Sequence, residues 1–143
     1  MTMFRIGEAA AVLGVSADTI RRWIDVGRLP ARRDGHGHRR IAGADLAAFA
    51  RAQANPDTAD GGVASSARNR LRGIVTEVMR DAVMAQVEIA AGPYRLVSLM
   101  SREAADELGL EVGVVAVAVV KSTNVVVEVP EPRTGEVPVA GET

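Results

Sequence analysis

Two short polar segments, Ser66-Ala-Arg-Asn69 and Lys121-Ser-Thr-Asn124, carry the side chains in this sequence that are best suited to binding chemistry. Arg68 offers a planar fork of N–H donors, and Lys121 offers a compact positive charge. Neutral donors accompany them at Ser66, Asn69 and Ser122. A tetrahedral oxyanion requires charge-assisted donors without competing carboxylates, and neither tetrapeptide contains an acid. The two segments therefore predict an oxyanion site.

Lys121 is also unusual by residue type. It is the only lysine, because the other sixteen basic residues are arginines. In a sequence so strongly biased towards arginine, a lysine indicates that a compact ammonium group is needed at that place. The alternative is a surface lysine that lies at a strand end by chance.

The elements that must position these segments follow a strand pattern. Apolar and polar residues alternate from Val83 to Ile89, as expected of a half-buried strand. A short helix is predicted over Ser101–Leu108, with Ser101 as its N-cap and Gly109 at its end. Four further strands complete a set of five, at Leu71–Met79, Tyr94–Met100, Val114–Val120 and Asn124–Val129. Five strands with a helix after the third is the order of an OB-fold barrel.

The first third of the chain has a helical pattern. Glu8 to Leu13 predicts one helix that ends at Gly14, and Ser16 offers an N-cap for a second helix over Ala17–Val26. A third helix is expected from Ala44, with Leu46 and Phe49 buried. Between the second and third helices, residues 32–40 form a glycine-hinged basic loop.

Charge is distributed unequally along the chain. Residues 1–54 contain nine arginines and five acids, so their net charge is +4, whereas residues 55–143 contain eight basic and thirteen acidic residues, giving −5. Such asymmetry indicates that the basic part meets a polyanion, and Arg21 and Arg22 on the second of two short helices suit a helix–turn–helix that binds DNA. The alternative is a small helical domain with an arginine-rich surface. His36 and His38 lack a nearby third metal ligand, so phosphate-facing or solvated positions are favoured over a metal site.

The segment from Phe4 to Pro30 resembles the winged helix–turn–helix of the MerR and excisionase families, and Gly37-His-Arg-Arg-Ile41 resembles their wing. The resemblance covers about residues 3–52, although a long dimerising helix and the cysteines of metal-sensing members are missing. In these families the second helix and the wing contact DNA. The resemblance therefore implies the following DNA contacts: Ser16, Thr19, Arg21, Arg22, His38, Arg39 and Arg40.

A second resemblance covers about residues 65–129. The stretches Ser65–Val75, Leu108–Val114 and Val119–Val125 are similar to motifs of the molbindin (Mop, TOBE) family and occur in the same order. The family fold is a small OB-like β-barrel that assembles through shared strands and holds molybdate or tungstate at subunit interfaces. The residues implied as ligand contacts are Ser66, Ala67 (through its backbone N–H), Arg68, Asn69, Lys121 and Ser122. One departure is Ala104, where the family often has a small hydroxyl residue; Ser101 either compensates or only caps its helix.

These patterns predict an α+β chain of two domains, a small winged helix–turn–helix followed by a five-stranded OB-like barrel. The expected boundaries are 1–53 for the DNA-binding domain, 54–65 for a flexible linker, 66–129 for the oxyanion-binding domain and 130–143 for a disordered tail. Any homo-oligomer is expected to form through the second domain.

Other classes of protein are disfavoured. There is no cysteine, no apolar run of about 18 residues and no signal-peptide pattern, so a cytoplasmic protein without a membrane partner is expected. No nucleophile–base pair or metal cluster indicates an enzyme. The leading hypothesis is a molybdate-responsive transcriptional regulator that binds DNA, and the alternative is a molybdate storage or buffer protein with a non-regulatory helix–turn–helix.

Overall fold

The computed structural model describes residues 2–54 and 64–130, which fall into two compact units. Residues 2–54 belong to the first unit and residues 64–128 to the second. The class is α+β, as predicted, because the first unit is mainly helical and the second is mainly one antiparallel sheet. Most of the predicted linker and nearly all of the predicted tail lie outside the described residues. Within those described ranges, no helix is long and apolar enough to span a membrane.

The first unit contains three short strands and three helices: β1 (Met3–Arg5), α1 (Ile6–Leu13), α2 (Ala17–Asp25), β2 (Arg32–Arg33), β3 (Arg39–Ala42) and α3 (Gly43–Gln53). The predicted end of α1 is confirmed, since Gly14 has a φ of +69°, a left-handed conformation that glycine adopts without strain. The N-cap of α2 is confirmed as well. Ser16 Oγ accepts a hydrogen bond from the backbone N–H of Thr19 at 3.1 Å.

The three strands form a small sheet in the order β1-β3-β2, with antiparallel neighbours. The predicted basic loop is therefore a hairpin, in which Arg32 lies opposite Arg40 and Arg33 opposite Arg39. Sequence patterns do not predict these strands, because two to four residues are too few to show an alternation of period two.

The core of the first unit lies between its helices and β3. Ile20, Leu29 and Ile41 are fully buried, and the rings of Trp23 and Phe49 pack with centroids 4.8 Å apart. Burial of each large aliphatic side chain contributes roughly 1.5–3 kcal/mol. Ile20 and Trp23 both contribute to this core from α2, and the predicted burial of Leu46 and Phe49 is confirmed.

The second unit contains four strands and one helix: β4 (Asn69–Arg80), β5 (Met84–Ala91), β6 (Tyr94–Ser101), α4 (Arg102–Glu107) and β7 (Val115–Val120). The strands pair antiparallel in the order β6-β5-β4-β7. The predicted alternation is present in β5, where every second residue from Ala85 to Ala91 is buried. Val83, predicted as the first inward residue, instead lies exposed in the preceding turn.

The short helix α4 has the predicted caps. Ser101 Oγ accepts a hydrogen bond from the backbone N–H of Ala104 at 3.1 Å, and Gly109 follows the helix with a φ of +64°. Ala105 is fully buried and belongs to the core of the sheet with Val75 and Val87. Arg80 holds this region to β4, because its guanidinium donates to Asp106 Oδ1 at 3.1 Å and to the carbonyl of Leu110 at 2.7 Å.

One position in β4 requires glycine. A Cβ atom at Gly73 would lie 2.3 Å from the carbonyl oxygen of Ala90 and 2.8 Å from Cγ2 of Ile89. Both distances are far below van der Waals contact, and the nearer atom belongs to the backbone. The close approach of β4 to β5 therefore depends on the missing side chain of Gly73.

The prediction of a fifth strand over Asn124–Val129 is wrong for this chain alone. Ser122–Asn124 form a 3₁₀ turn, and the residues that follow it, up to Pro130, form neither strand nor helix. Val126, Val127 and Val129 are 85%, 82% and 84% exposed. A strand needs a paired edge to satisfy its backbone, and among residues 64–130 this segment pairs with none.

The sheet is consequently a curled, open half-barrel. Both of its edge strands, β6 and β7, line one apolar cavity of about 430 Å³, together with Leu108 and Leu110. Side chains on the inner face, among them Leu96, Met100 and Ala118, are only partly buried. The second unit therefore leaves part of its apolar interior open to solvent.

Candidate functional site

The pairing of β4 with β7 brings the two polar segments together. Asn69, at the start of β4, lies opposite Val120, the last residue of β7. The side-chain amide of Asn69 donates to the carbonyl of Val120 at 3.0 Å. Because Lys121 follows Val120 directly, the segment 66–69 and the pair Lys121-Ser122 lie at the same end of the sheet.

The backbone before β4 is folded by local hydrogen bonds. Ala67 is buried, and its N–H donates to Ser65 Oγ at 3.1 Å. A guanidinium N–H of Arg68 donates to the carbonyl of Ser65 at 3.3 Å. Arginine carries five N–H donors, so Arg68 keeps most of its donors for a ligand. Ser66 is exposed in the bend between these residues.

The side chains of Lys121 and Ser122 are exposed, and neither makes a hydrogen bond or an ion pair with any residue in 2–54 or 64–130. An ammonium group without an acidic partner keeps its full charge for an incoming anion. The entropy that the Lys121 side chain loses when it becomes ordered is then offset by its contact with the ligand alone.

The strands that flank this site carry positive charge. Residues 64–76 and 112–127 contain Arg68, Arg70, Arg72 and Lys121 but no acid. Two acids in the described part of the second unit, Glu88 on β5 and Asp106 on α4, form ion pairs with Arg95 and Arg80. A locally positive region inside an acidic unit favours an anionic ligand.

Ser101 does not join this site within one chain. It lies opposite Met84, near the far end of the β4–β5 pair, whereas Lys121 lies beyond the start of β4. Its hydroxyl accepts the N–H of Ala104, so of the two roles considered for Ser101 the structure contains the helix cap.

The residues predicted to contact DNA on α2 differ in their partners. Ser16 Oγ and Thr19 Oγ1 lie 2.9 Å apart, and Arg21 forms an exposed ion pair with Asp18 at 2.8 Å. Arg22 is exposed, and its side chain has no hydrogen bond or ion pair within residues 2–54 or 64–130.

Two of the predicted DNA contacts on the hairpin form ion pairs with acids of the same unit. Arg39 pairs with Asp25 at the end of α2 at 2.8 Å, and Arg40 pairs with Asp34 at 3.0 Å. His38 is exposed at the hairpin tip. Arg39 and Arg40, two of the three predicted contacts on the hairpin, therefore also hold the domain's own structure.

Asp34 was missed as a functional candidate, although an Asp before Gly-x-Gly is a signal for a turn. Its Oδ1 accepts the backbone N–H groups of His36 and His38 at 2.8 Å and 3.0 Å. Desolvation raises the pKa of Asp34, but these two hydrogen bonds and the charge of Arg40 outweigh it and hold the pKa below its ordinary value. The carboxylate therefore stays ionised and organises the hairpin tip.

Comparison with known protein families identifies both units. Residues 3–54 match the model of a helix-turn-helix domain, and residues 65–127 match the TOBE domain. The predicted order, a helix–turn–helix followed by a molbindin-type segment, is confirmed.

Several similar proteins match only the part of this chain that contains the TOBE domain. Molybdenum-pterin-binding protein 2 of Clostridium pasteurianum is 40% identical over 63 residues, which are 43% of this chain and 93% of that protein. Molybdenum-pterin-binding protein 3 of the same organism is 41% identical over 64 residues, with the same two shares. A solved molybdate-binding protein from Sporomusa ovata is 29% identical with a TM-score of 0.45, and the match covers 46% of this chain and 98% of that one.

Proposed function

We propose that this chain, which belongs to the family of the molybdenum-pterin-binding proteins through its TOBE domain, binds molybdate, with tungstate as a second oxyanion. The observation that carries the proposal is the register of β4 and β7, in which Asn69 lies opposite Val120. That register gathers the proposed ligand residues at one end of the sheet: Ser66, Ala67, Arg68, Asn69, Lys121 and Ser122.

The proposed site has the donors that a tetrahedral dianion requires. Arg68 supplies a planar pair of N–H groups, Lys121 a point charge, and Asn69 and Ser122 neutral donors. The N–H of Ala67 now donates to Ser65 Oγ, so its use by the ligand requires that this bond be exchanged. The absence of acids from 64–76 and 112–127 removes the groups that would repel the anion.

We also propose that the second unit forms a homo-oligomer. The exposed segment from Val125 to Val129 has the residues of a strand but no partner among residues 64–130, and the half-barrel has an open apolar cavity between β6 and β7. Insertion of the segment at the edge of a second copy would satisfy its backbone and cover the cavity. The five-stranded OB-like barrel predicted from the sequence would then be completed by two chains.

The first unit is proposed to bind DNA as a winged helix–turn–helix of the MerR type, with the β2–β3 hairpin as its wing. Its net charge of +4 and the match to a helix-turn-helix domain support this role. Molybdate bound to the second unit can change the affinity of the protein for DNA only if molybdate itself binds more tightly to one state of the protein than to another. The size of the change is limited by that difference in molybdate affinity. A change of oligomer, and hence of avidity, is a sufficient mechanism. A DNA partner makes the proposed place of action the cytoplasm.

One observation favours a second candidate function, storage or buffering of molybdate. The relatives correspond over 93% of their length to less than half of this chain, so they have no counterpart of its remaining part. A regulator is expected to lie near molybdate-transport or molybdenum-cofactor genes and to bind repeated sites upstream of them, whereas a buffer is not. Neither candidate is an enzyme.

Titration calorimetry of the anion-stripped protein with molybdate, tungstate and sulfate tests the proposed site. We expect a heat of binding for molybdate and tungstate and none for sulfate. We also expect that Lys121→Ala and Arg68→Ala each abolish binding. Loss of a charge-assisted contact costs about 3 kcal/mol, on the order of a hundredfold in Kd. Arg51→Ala, which changes the net charge equally in the first unit, is the matched control and should bind normally. Unchanged affinity in both site variants would remove the proposed site.

A further inference from the structure

The arginines of the small sheet form a row across its three strands. Arg40 on β3 lies directly opposite Arg5 on β1 and directly opposite Arg32 on β2. Residues opposite each other in antiparallel strands project from the same face, and like charges in such positions destabilise the pairing. The row therefore requires a compensating negative charge.

Asp34 supplies that charge to the middle of the row. Its carboxylate lies 3.0 Å from the guanidinium of Arg40, and the two side chains are only 23% and 14% exposed. The same carboxylate accepts the N–H groups of His36 and His38. If Arg40 turned outward to a phosphate, it would leave Asp34 partly buried without its counter-ion, which is unfavourable.

The other arginines of the hairpin are engaged as well, with one exception. Arg39 binds Asp25 at the end of α2, and Arg33 donates to the carbonyl of Gly37 at 2.7 Å. The side chain of Arg32 is exposed, lines a groove of about 260 Å³ beside Arg40, and makes no hydrogen bond or ion pair with the residues of the described ranges. Its guanidinium is therefore available at no cost to the hairpin.

We propose that Arg32 is the hairpin's contact to the phosphodiester backbone of DNA, and that Asp34 and Arg40 are positioning residues that hold the hairpin in the shape that presents Arg32. This inference rests on the proposed DNA-binding function and refines it, because Arg32 was not among the contacts implied by the sequence and Arg40 was. The structural reason is that the guanidinium of Arg40, which is more buried than that of Arg32, is already paired with Asp34.

The proposal predicts the direction in which Asp34→Asn changes the affinity for DNA. Removing an acid makes the protein more positive, so a charge-only account predicts tighter binding of DNA. A positioning role predicts weaker binding, because the neutral amide loses the ion pair with Arg40 and accepts the two N–H groups of the tip more weakly, so that Arg32 is displaced. Asp45→Asn on α3 changes the net charge by the same amount without touching the hairpin, and it should bind DNA at least as tightly as the wild type.

The experiment measures binding of the full chain to a fluorescein-labelled, random-sequence DNA duplex by anisotropy, at salt concentrations from about 50 to 200 mM. We expect Arg32→Ala to weaken binding about fivefold at low salt and to make the slope of log K against log salt shallower by about 0.9, the value for one phosphate contact. Asp34→Asn should weaken binding, and adding Arg32→Ala to it should cause no further loss, because residues that act through one contact are not additive.

Several outcomes overturn the proposal. One is Arg32→Ala behaving like the control Arg51→Ala, another is Asp34→Asn binding as tightly as Asp45→Asn, and a third is full additivity in the double variant. Fluorescence of Trp23 shows that each variant is folded, and Arg32→Ala keeps the test valid even if Asp34→Asn does not fold. Wild-type protein that shows no salt-dependent binding would remove the DNA-binding function together with this inference, a result distinct from failure of Arg32 alone.

Discussion

The two units differ in how completely a single chain buries their hydrophobic side chains. Among residues 2–54 and 64–130, sixteen large hydrophobic side chains are exposed: Val12 and Val26 lie in residues 2–54, thirteen lie in residues 64–128, and the last is Val129. The first unit buries its core between helices and a small sheet, whereas the second presents an open cavity and a valine-rich segment. The comparison supports the proposal that self-association occurs through the second unit and not through the first.

The units also differ in how they use charge. In the first unit, acids are placed to hold arginines in position, as Asp25 holds Arg39 and Asp34 holds Arg40. In the second unit, the segments that meet at the end of the β4–β7 pair, residues 64–76 and 112–127, contain cations but no acid. The first arrangement fixes a shape that presents selected cations, and the second leaves a positive region open for a small ligand.

The largest effect is expected from Gly73→Ala, which tests whether the units are independent. The new methyl group would overlap the carbonyl of Ala90, so we expect the second unit to lose about 3 kcal/mol of unfolding free energy. Trp23 is the only tryptophan and lies in the first unit, so thermal unfolding followed by its fluorescence should not move, while the circular dichroism transition should.

The matched control is Gly7→Ala in α1, where a Cβ meets no atom within 4 Å. Alanine is the better helix former by about 1 kcal/mol, so this variant should stabilise the first unit slightly. A Gly73→Ala variant that lowered the Trp23 transition as well would contradict the independence of the units.

The next effect concerns assembly. Val126→Asp combined with Val127→Asp places two charges in the segment proposed to pair with a second copy, so the oligomer should dissociate towards a monomer in sedimentation velocity. Val12→Asp combined with Val26→Asp adds the same two charges at exposed valines of the first unit and should leave the mass unchanged. An unchanged mass for the double variant would show that the valine segment is not the interface.

The smallest expected effect compares two identical helix caps. Ser16 and Ser101 each accept an N–H at 3.1 Å, one in each unit, and replacing either with alanine should cost about 1 kcal/mol. Ser16→Ala should shift only the Trp23 transition and Ser101→Ala only the rest of the circular dichroism signal. If both variants shifted both signals, the two units would have to unfold together.

The sequence predicts features that depend on neighbouring residues. Gly14 and Ser16 mark helix ends through their own conformational preferences, and the alternation along β5 follows from its one buried face. The approach of segment 66–69 to Lys121 was expected from the family resemblance and appears as the β4–β7 register. The roles of the individual ligand residues stay a prediction.

Features that depend on distant residues could not be predicted. The pair of Arg39 with Asp25 joins residues fourteen positions apart, and nothing in the local pattern of either residue indicates it. The segment after Asn124 has strand-forming residues, yet it forms no strand because its hydrogen-bond partners are not supplied by residues 64–130 of the same chain.

The solitary lysine at the end of β7 also makes the proposed site chemically addressable. An endoprotease that cuts only after lysine has one cleavage site in the whole sequence, between Lys121 and Ser122. A single cut there would fall within the proposed anion site and would separate Lys121 from Ser122 and the valine-rich segment. Acylation of the one ε-amino group would modify the same site. The rates of cleavage and acylation at this one residue would therefore report both whether the proposed site is occupied and whether the chain is assembled.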